Sequence, residues 1–441
     1  MGNNKEINFP NPSVAWTTLA ILFLAYISSF VDRMIISLLV EPIKKDFQIS
    51  DTQVSLLLGL SFAIFYCLAA LPIGRLVDIW SRKKIVTVGI TLWSFMTALC
   101  GLAQNYTQLF LARIGVGVGE ASLAPAAYSM LADSFPPKKL GLAMGVFTMG
   151  TAVGAGLALI IGGAIISFVT GENGENVSLF GIGFLSGWQW VFVLVGLPGL
   201  FIALLTSLIR EPDRIVIEEK KKLYGDISIP ISELKKYFKK NSDFYIPHHF
   251  AVGCSNLALV GINSWVSVYF MRIHGWTISE AGVNIGIALI SGGILGLIIG
   301  GWVSDKISIR IVGGKAYFCL VCAVLAIPLA IFFATEENAF NALVFFSLSY
   351  SCMVAPIAPA AAMLQEITPN RMRGMLSAFY LLIVSLIGLA LGPLIVAFLN
   401  DFYFGGGMGI QKSLLVSIPA FNLLAAISYF FLIKPYSKKC Y

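Results

Sequence analysis

Twelve runs of predominantly apolar residues, each long enough for a helix to cross the ~30 Å hydrocarbon layer of a bilayer, constrain this chain more than any other feature. They are Val14 to Val40, Thr52 to Ile73, Ile85 to Ala103, Leu109 to Leu131, Leu140 to Phe168, Trp190 to Ile209, Tyr245 to Met271, Ala281 to Val303, Ala316 to Ala334, Ala339 to Leu364, Met375 to Leu399 and Leu414 to Ile433. The runs are continuous, without the apolar/polar alternation of barrel strands, so the expected fold class is all-α and polytopic. Composition agrees: 57% of residues are hydrophobic and 12% charged, against about a quarter charged in soluble domains, and the mean hydropathy is +0.84. An even number of spans puts both termini on one face. The first run is longer than a signal-peptide core and lacks a cleavage site, so we expect it to be retained.

Lysine and arginine set the orientation. With the amino terminus in the cytoplasm, "RLVDIWSRKK", "PPKK", residues 210–240, "SDKISIR", "NRMR" and "KPYSKKCY" all lie inside, and only Lys44, Lys45, Arg272 and Lys412 lie outside. The net charge of +7 is therefore a topology signal, and we expect no nucleic-acid partner. Both termini are expected in the cytoplasm of a cell membrane, the inner one if the source is bacterial.

A polar segment divides the chain into an amino-terminal six-helix bundle (1–209), a cytoplasmic linker (210–243) and a carboxyl-terminal bundle (244–441). Within the linker, "SELKKYFKK" reads as a surface helix with its bases near lipid headgroups. The halves echo each other. Gly74 and Asp78 of "GRLVD" recur as Gly301 and Asp305 of "GWVSD", 227 positions on, and Asp133, Pro136 and Gly141 recur as Glu366, Pro369 and Gly374, 233 positions on. An offset of six spans keeps the orientation, so the bundles are related by a pseudo-two-fold axis along the membrane normal.

These residues carry a resemblance. "GRLVDIWSRKK" is similar to the loop signature between the second and third helices of the major facilitator superfamily, and "RIGVGVGEA" resembles its fourth-helix motif. "VDRMIISLLVEPIKKDFQISDTQVSLL", "LPIGRLVDIWSRKK", "LARIGVGVGEASLAPAAYSMLADSFPPKK" and "MGTAVGAGLAL" together resemble the spinster branch. The resemblance implies a secondary transporter working by alternating access, with a lysophospholipid or sphingoid phosphate as substrate and protons as coupling ion. "GTAVGAGLALIIGG" departs from the fifth-helix antiporter motif, which places a proline after its glycine; the direction of coupling stays open.

Charges inside spans point to the site. One at a helix centre costs about 2.5 to 3.5 kcal/mol, so it should face a partner or a wet cavity. Asp32 and Arg33 lie in the first span, Arg113 and Glu120 in the fourth. Counting along the helices puts Asp32 and Arg113 at similar depth and Glu120 near the midplane, with Gly117 leaving room beside it. Ala25, Ser28, Ser29 and Asp32 form a small polar stripe expected to look at span 4 across a central cavity. Asp32 is the candidate proton carrier, with Arg113 competing for its carboxylate; Glu120 would share the proton or meet a cationic group, and Arg113 or Arg33 a phosphate. In spinster-like proteins the matching aspartate, arginine and glutamate are assigned such roles. Arg33, about 100° round the helix from Asp32, is placed at an outer gate or among headgroups. The alternative is a static ion pair that only fixes packing.

A second constellation lies on the cytoplasmic face. Asp78, Arg82, Lys83, Asp133, Asp305, Arg310 and Glu366 are expected to form a latch that holds the halves together there, with Gly74 allowing close packing. The second half offers Asn256, Asn263, Ser264, Asn284 and Ser385 among apolar surfaces, a lining suited to a small amphiphilic substrate in a protein expected to act as a monomer within the lipid bilayer. Small organic anions or hydrophobic drugs are the alternative cargo, and a lipid enzyme or a non-transporting receptor the alternative of another class. "GVGVGE" at Gly115 has no preceding strand and reads as helix packing; Cys319 and Cys322 have no second pair; His248 and His249 read as interfacial. We expect no metal and no cofactor.

Overall fold

The computed structural model describes residues 9–170, 185–214, 231–369 and 372–439; the expectations placed on linker residues 215–230 and on Arg371 lie outside these. Among the described residues there are twelve helices long and apolar enough to cross a membrane: Pro12–Leu38, Asp51–Ile79, Arg82–Cys100, Tyr106–Ser134, Lys139–Val169, Gly187–Leu208, Ser242–Ile273, Ile278–Arg310, Gly314–Thr335, Ala339–Ile367, Met375–Phe402 and Gly407–Lys439, numbered here as spans 1 to 12.

The helices outrun the apolar runs that marked them. Span 2 continues past Ile73 to Ile79 and span 8 past Val303 to Arg310, because polar residues prolong a helix into water at no cost to its backbone hydrogen bonds. Gly74, Asp78, Gly301 and Asp305 thus sit in the last turns of helices, not in loops. At the other ends capping decides. Ser50 with Gln53 and Thr277 with Glu280 form capping boxes that start spans 2 and 8, and Asn105 and Asn338 cap spans 4 and 10. Span 1 ends at Leu38, two residues before the apolar run does, and a separate short helix that the apolar pattern does not mark, Val40–Phe47, follows.

The repeat is visible in the breaks. Span 4 is interrupted after Glu120, resuming at Leu123, and span 10 after Val354, resuming at Ile357, the same place in each half. π-Helical turns occupy Leu56–Leu60 of span 2 and Val384–Leu391 of span 11.

Two seams join the halves. Spans 5 and 8 cross on glycines: a Cβ on Gly156 would lie 2.4 Å from the Gly286 carbonyl oxygen, one on Gly286 2.6 Å from that of Gly156, and one on Gly282 2.4 Å from that of Leu159. Spans 2 and 11 meet at their π turns, where a Cβ on Gly59 would lie 2.1 Å from the Leu389 carbonyl oxygen. Backbones this close exclude any side chain, which is how small residues drive helix association in lipid. Between the seams, span 1 of one half packs against span 7 of the other.

The seams close at one end only. At the face opposite the termini, Arg272 of span 7 donates through Nη1 and Nη2 to both oxygens of Asp51 at 2.7 and 2.9 Å and through Nε to Glu41 at 2.7 Å; Asn400 also donates to Asp51, and Thr52 donates twice to Asp401 at 2.7 Å. Lys44 completes the cluster on Asp51. Among the described residues, every side-chain hydrogen bond between the halves lies at this face. Toward the terminal face, Gly74, Gly141, Gly145 and Gly301 have open space where a side chain would be. The molecule is therefore sealed at one face and open at the face that carries its termini.

The linker helix Ile231–Lys240 forms as expected, but its apolar side is used on protein. Leu234, Tyr237 and Phe238 pack on the carboxyl-terminal bundle, and Tyr237 Oη donates to the Ile367 carbonyl at 3.0 Å.

Candidate functional site

Ser29 and Arg33 stand one turn apart on span 1 and so share a face. Both converge on one carboxylate oxygen of span 4: Ser29 Oγ and Arg33 Nη2 each donate to Glu120 Oε2 at 2.6 Å. The Glu120 side chain is fully buried and that of Arg33 is 12% exposed. The guanidinium lies over the rings of Phe62, Phe30 and Tyr66, 4.4, 4.8 and 5.5 Å from their centroids. Gly117 makes this possible, since a Cβ there would lie 2.8 Å from the Phe62 carbonyl oxygen; without one, span 2 comes close enough to lay Phe62 over the arginine. Desolvated cation–π contacts of this kind contribute about 2 kcal/mol each. The pair is not saturated. Glu120 Oε1 and Arg33 Nε are buried and unpaired, one acceptor and one donor left over.

The aromatic wall continues along span 1. Tyr26 packs edge-on to Phe30 at 5.3 Å and stacks on Phe147 of span 5 at 4.4 Å, and Tyr128 of span 4 meets Phe147 at 5.5 Å.

The Asp32 side chain leaves span 1 on another side. Its side chain is 1% exposed, its two carboxylate oxygens carry no hydrogen bond, and it lies toward Trp93 and Thr97 of span 3 within the amino-terminal bundle. Arg113 approaches it through the main chain: Nη1 donates to the Asp32 carbonyl oxygen at 2.9 Å, while Nε and Nη2 are unpaired. Two expectations are corrected. Arg33 turns into the site beside Glu120 and not toward an outer gate or headgroups, because the cavity-facing side of span 1 is the one carrying Ser29 and Arg33. The Asp32 carboxylate makes no hydrogen bond to Arg113, and its side-chain neighbours on span 3 are Trp93 and Thr97. Ser28 packs on the same inward side, near Gly199 of span 6.

In the carboxyl half, Asn256 is not a free lining group. Its Nδ2 donates to the Val384 carbonyl oxygen at 2.6 Å, tying span 7 to the π turn of span 11. Asn263 lies beside Tyr350 with its Oδ1 buried and unpaired; Ser264 bonds back to Val260, and Asn284 and Ser385 are half-buried. His248 and His249 are buried, not interfacial: they stack among Phe244, Tyr245, Phe379 and Tyr380, and His248 Nε2 bonds the Ala360 carbonyl at 2.9 Å.

On the terminal face the predicted latch does not bridge the halves in this state. Arg82, 1% exposed, pairs with Asp133 and with Glu211 (3.2 Å) and donates to the Pro212 carbonyl at 2.6 Å. Glu366 pairs with Lys315 and accepts from Tyr436. Each network staples its own bundle, since the two bundles stand apart here. Asp305 and Arg310 are exposed, Lys83 is half-buried, and Asp78 offers its carbonyl to Arg214. Gly74 makes no close packing in this state. Burial works to raise the Glu211 carboxyl, but hydrogen bonds from Ser81 and Arg82 outweigh it and hold the group below its ordinary value.

Sequence reasoning missed Phe62, Tyr66, Tyr26 and Tyr128. Phe62 and Tyr66 stand one turn apart on span 2 and Tyr26 one turn before Phe30 on span 1, which is the only signal they carry; Tyr128 carries none. Sequence reasoning also missed the Asp51–Arg272 seal.

A family model described as Major Facilitator Superfamily matches residues 22–393. The chain is 26% identical over 424 residues, 95% of its own length and 92% of the relative's, to an MFS-type efflux pump of Mycolicibacterium smegmatis. It is 28% identical over 410 residues, covering 87% of this chain and 73% of the relative, to protein spinster homolog 1 of Xenopus tropicalis. Among solved structures, it superposes with a TM-score of 0.81 and 27% identity, over 98% of this chain and 99% of the other, on a bacterial homolog to the human lysosomal transporter spinster, crystallised inward-facing and unoccupied.

Proposed function

This chain belongs to the Major Facilitator Superfamily of membrane transporters, and on that premise we propose that it carries an amphiphilic, lipid-like molecule across the bilayer by proton-coupled alternating access. The observation behind this reading is the Arg33–Glu120 pair. A buried ion pair left with one free donor and one free acceptor, roofed by Phe62 and Tyr66, suits a headgroup that brings both a phosphate and a cationic group. The Arg33 fork would take the phosphate, and Glu120 Oε1 the cation. Tyr26, Phe30, Phe147 and Tyr128 would run along the acyl chain. A pair that only fixed packing would have no reason to leave both spare atoms unbonded in the interior.

Asp32 is the proton carrier in this proposal. It is ionisable, buried and set one residue from the substrate arginine. With the lysine-rich face in the cytoplasm, the described state is open inward. Gly74, Asp78, Lys83, Asp305 and Arg310 would then come together when the inner face closes, while Arg82, Asp133 and Glu366 keep each bundle rigid. The protein acts as a monomer and makes or breaks no covalent bond in its cargo.

The test is uptake by purified protein in liposomes of oleoyl lysophosphatidylethanolamine and sphingosine phosphate, with and without an imposed proton gradient. Both the gradient dependence and its loss in Asp32→Asn, with exchange at equal pH retained, are expected. Movement of a soluble organic anion or a hydrophobic drug without either lipid would overturn the substrate assignment. The 27% identity over 317 residues to a quinolone resistance transporter of Acinetobacter baumannii makes a drug the second cargo to try.

A further inference from the structure

Six buried polar atoms inside the amino-terminal bundle have no hydrogen bond of ordinary geometry: Asp32 Oδ1 and Oδ2, Trp93 Nε1, Thr97 Oγ1, and Arg113 Nε and Nη2; the Trp93 and Thr97 donors lie within reach of the Asp32 carboxylate, and the Arg113 charge acts on it too. The four residues are between 0 and 1% exposed. A single unpaired buried group is unusual in a folded protein and a cluster calls for a cause. Their chemistry is complementary. An ionised carboxylate only accepts, an indole N–H only donates, and a hydroxyl can donate.

Trp93 and Thr97 are one turn apart and present one face of span 3. That face is fixed in place: Cβ atoms on Gly119 and Gly89 would lie 2.8 Å from the Trp93 amide nitrogen and from the Gly119 carbonyl oxygen, so spans 3 and 4 lie backbone against backbone. Arg113 meanwhile holds the Asp32 carbonyl, anchoring the main chain and leaving the carboxylate free to move.

We propose that Trp93 and Thr97 are positioning residues for Asp32, donating to its carboxylate whenever it is ionised and holding it within the amino-terminal bundle, apart from the Arg33–Glu120 site. This rests on the reading of Asp32 as the proton carrier. The other ionisable groups around the carboxylate are Arg113 and Glu120 of span 4 and Cys100 of span 3; span 6 contributes none. Loss of either donor therefore removes support for the charged form while leaving those charges in place.

The experiment is an infrared pH titration of the full chain in nanodiscs, following the carboxylic C=O band that disappears in Asp32→Asn. Thr97→Val and Trp93→Phe are each expected to raise the titration midpoint by about one pH unit, the size of one hydrogen bond to a charged group, and Thr97→Ser to keep the parent midpoint. Either variant alone decides if the other does not fold. Parent-like midpoints in Val and Phe variants, a Ser variant that shifts as far as Val, or no Asp32-dependent band between about pH 4 and 10 overturn the assignment. Uptake of oleoyl lysophosphatidylethanolamine by the same preparation separates the two claims. If the midpoints shift but uptake ignores a proton gradient, the coupling reading falls and the positioning role stands.

Discussion

Glu120 is bonded through one oxygen and bare on the other, and its partner Arg33 is tied to it by a single nitrogen. Glu120→Gln keeps the shape but leaves the guanidinium among aromatic rings with no counter-charge. Breaking a buried pair from one side costs about 3–5 kcal/mol, so lysolipid uptake should fall by at least about tenfold and the thermal midpoint by several degrees. Arg33→Lys keeps the charge and loses the planar fork; binding of sphingosine phosphate should weaken roughly tenfold in a titration of the purified protein. At the terminal face, the Glu211 carboxyl is held below its ordinary value. Its contribution is complete above the unfolded-state value and disappears as pH falls through the lower folded one. Glu211→Gln should flatten that acid limb in thermal-shift curves while parent and variant keep parallel profiles above it. The four intramembrane charges were legible because such charges are rare. Their facing was not: the stripe Ala25, Ser28, Ser29, Asp32 looked continuous, yet Ser29 goes with Arg33 and Ser28 with Asp32. The aromatic roof was illegible because aromatics occur on every span.

Spans announced themselves by apolar length, whereas their contacts did not. Gly156, Gly282 and Gly286 are three of 42 glycines, and nothing in composition marks them as glycines that touch across the halves. Gly286→Leu would drive a side chain into the Gly156 carbonyl and Ile160. Overpacking of this kind costs about 1–3 kcal/mol. The expected outcome is loss of cross-linking between cysteines placed on spans 5 and 8, with each bundle still folded by circular dichroism. The π turns of spans 2 and 11 were also invisible beforehand, because a π turn changes hydrogen-bond register without changing apolarity. Asn256, read as a cavity polar group, proves to be the residue that binds the second of them.

At the scale of the molecule, the seal at the non-terminal face sets which opening is present. Arg272→Ala removes the bidentate contact on Asp51 and the contact on Glu41, leaving Asp51 with Lys44 and Asn400. The population should move toward the oppositely open state by about tenfold, in line with a few kcal/mol separating such states. Spin labels at Lys45 and Lys412 on the sealed face should move apart, and labels at Leu142 and Ile309 on the terminal face together. Unchanged distances would show that the glycine seams alone hold this state. The twelve spans and the fold class were readable from apolar length; which face was closed was not, since alternating states share one sequence.

Asp32 and Arg33 are consecutive, and their side chains leave span 1 on different sides. A single peptide unit therefore acts as a see-saw between two rooms. Any roll of that helix that moves the arginine beside Glu120 must swing the aspartate against its own walls, so in a carrier of the proposed kind torsion would add to the field that Glu120 already exerts on Asp32.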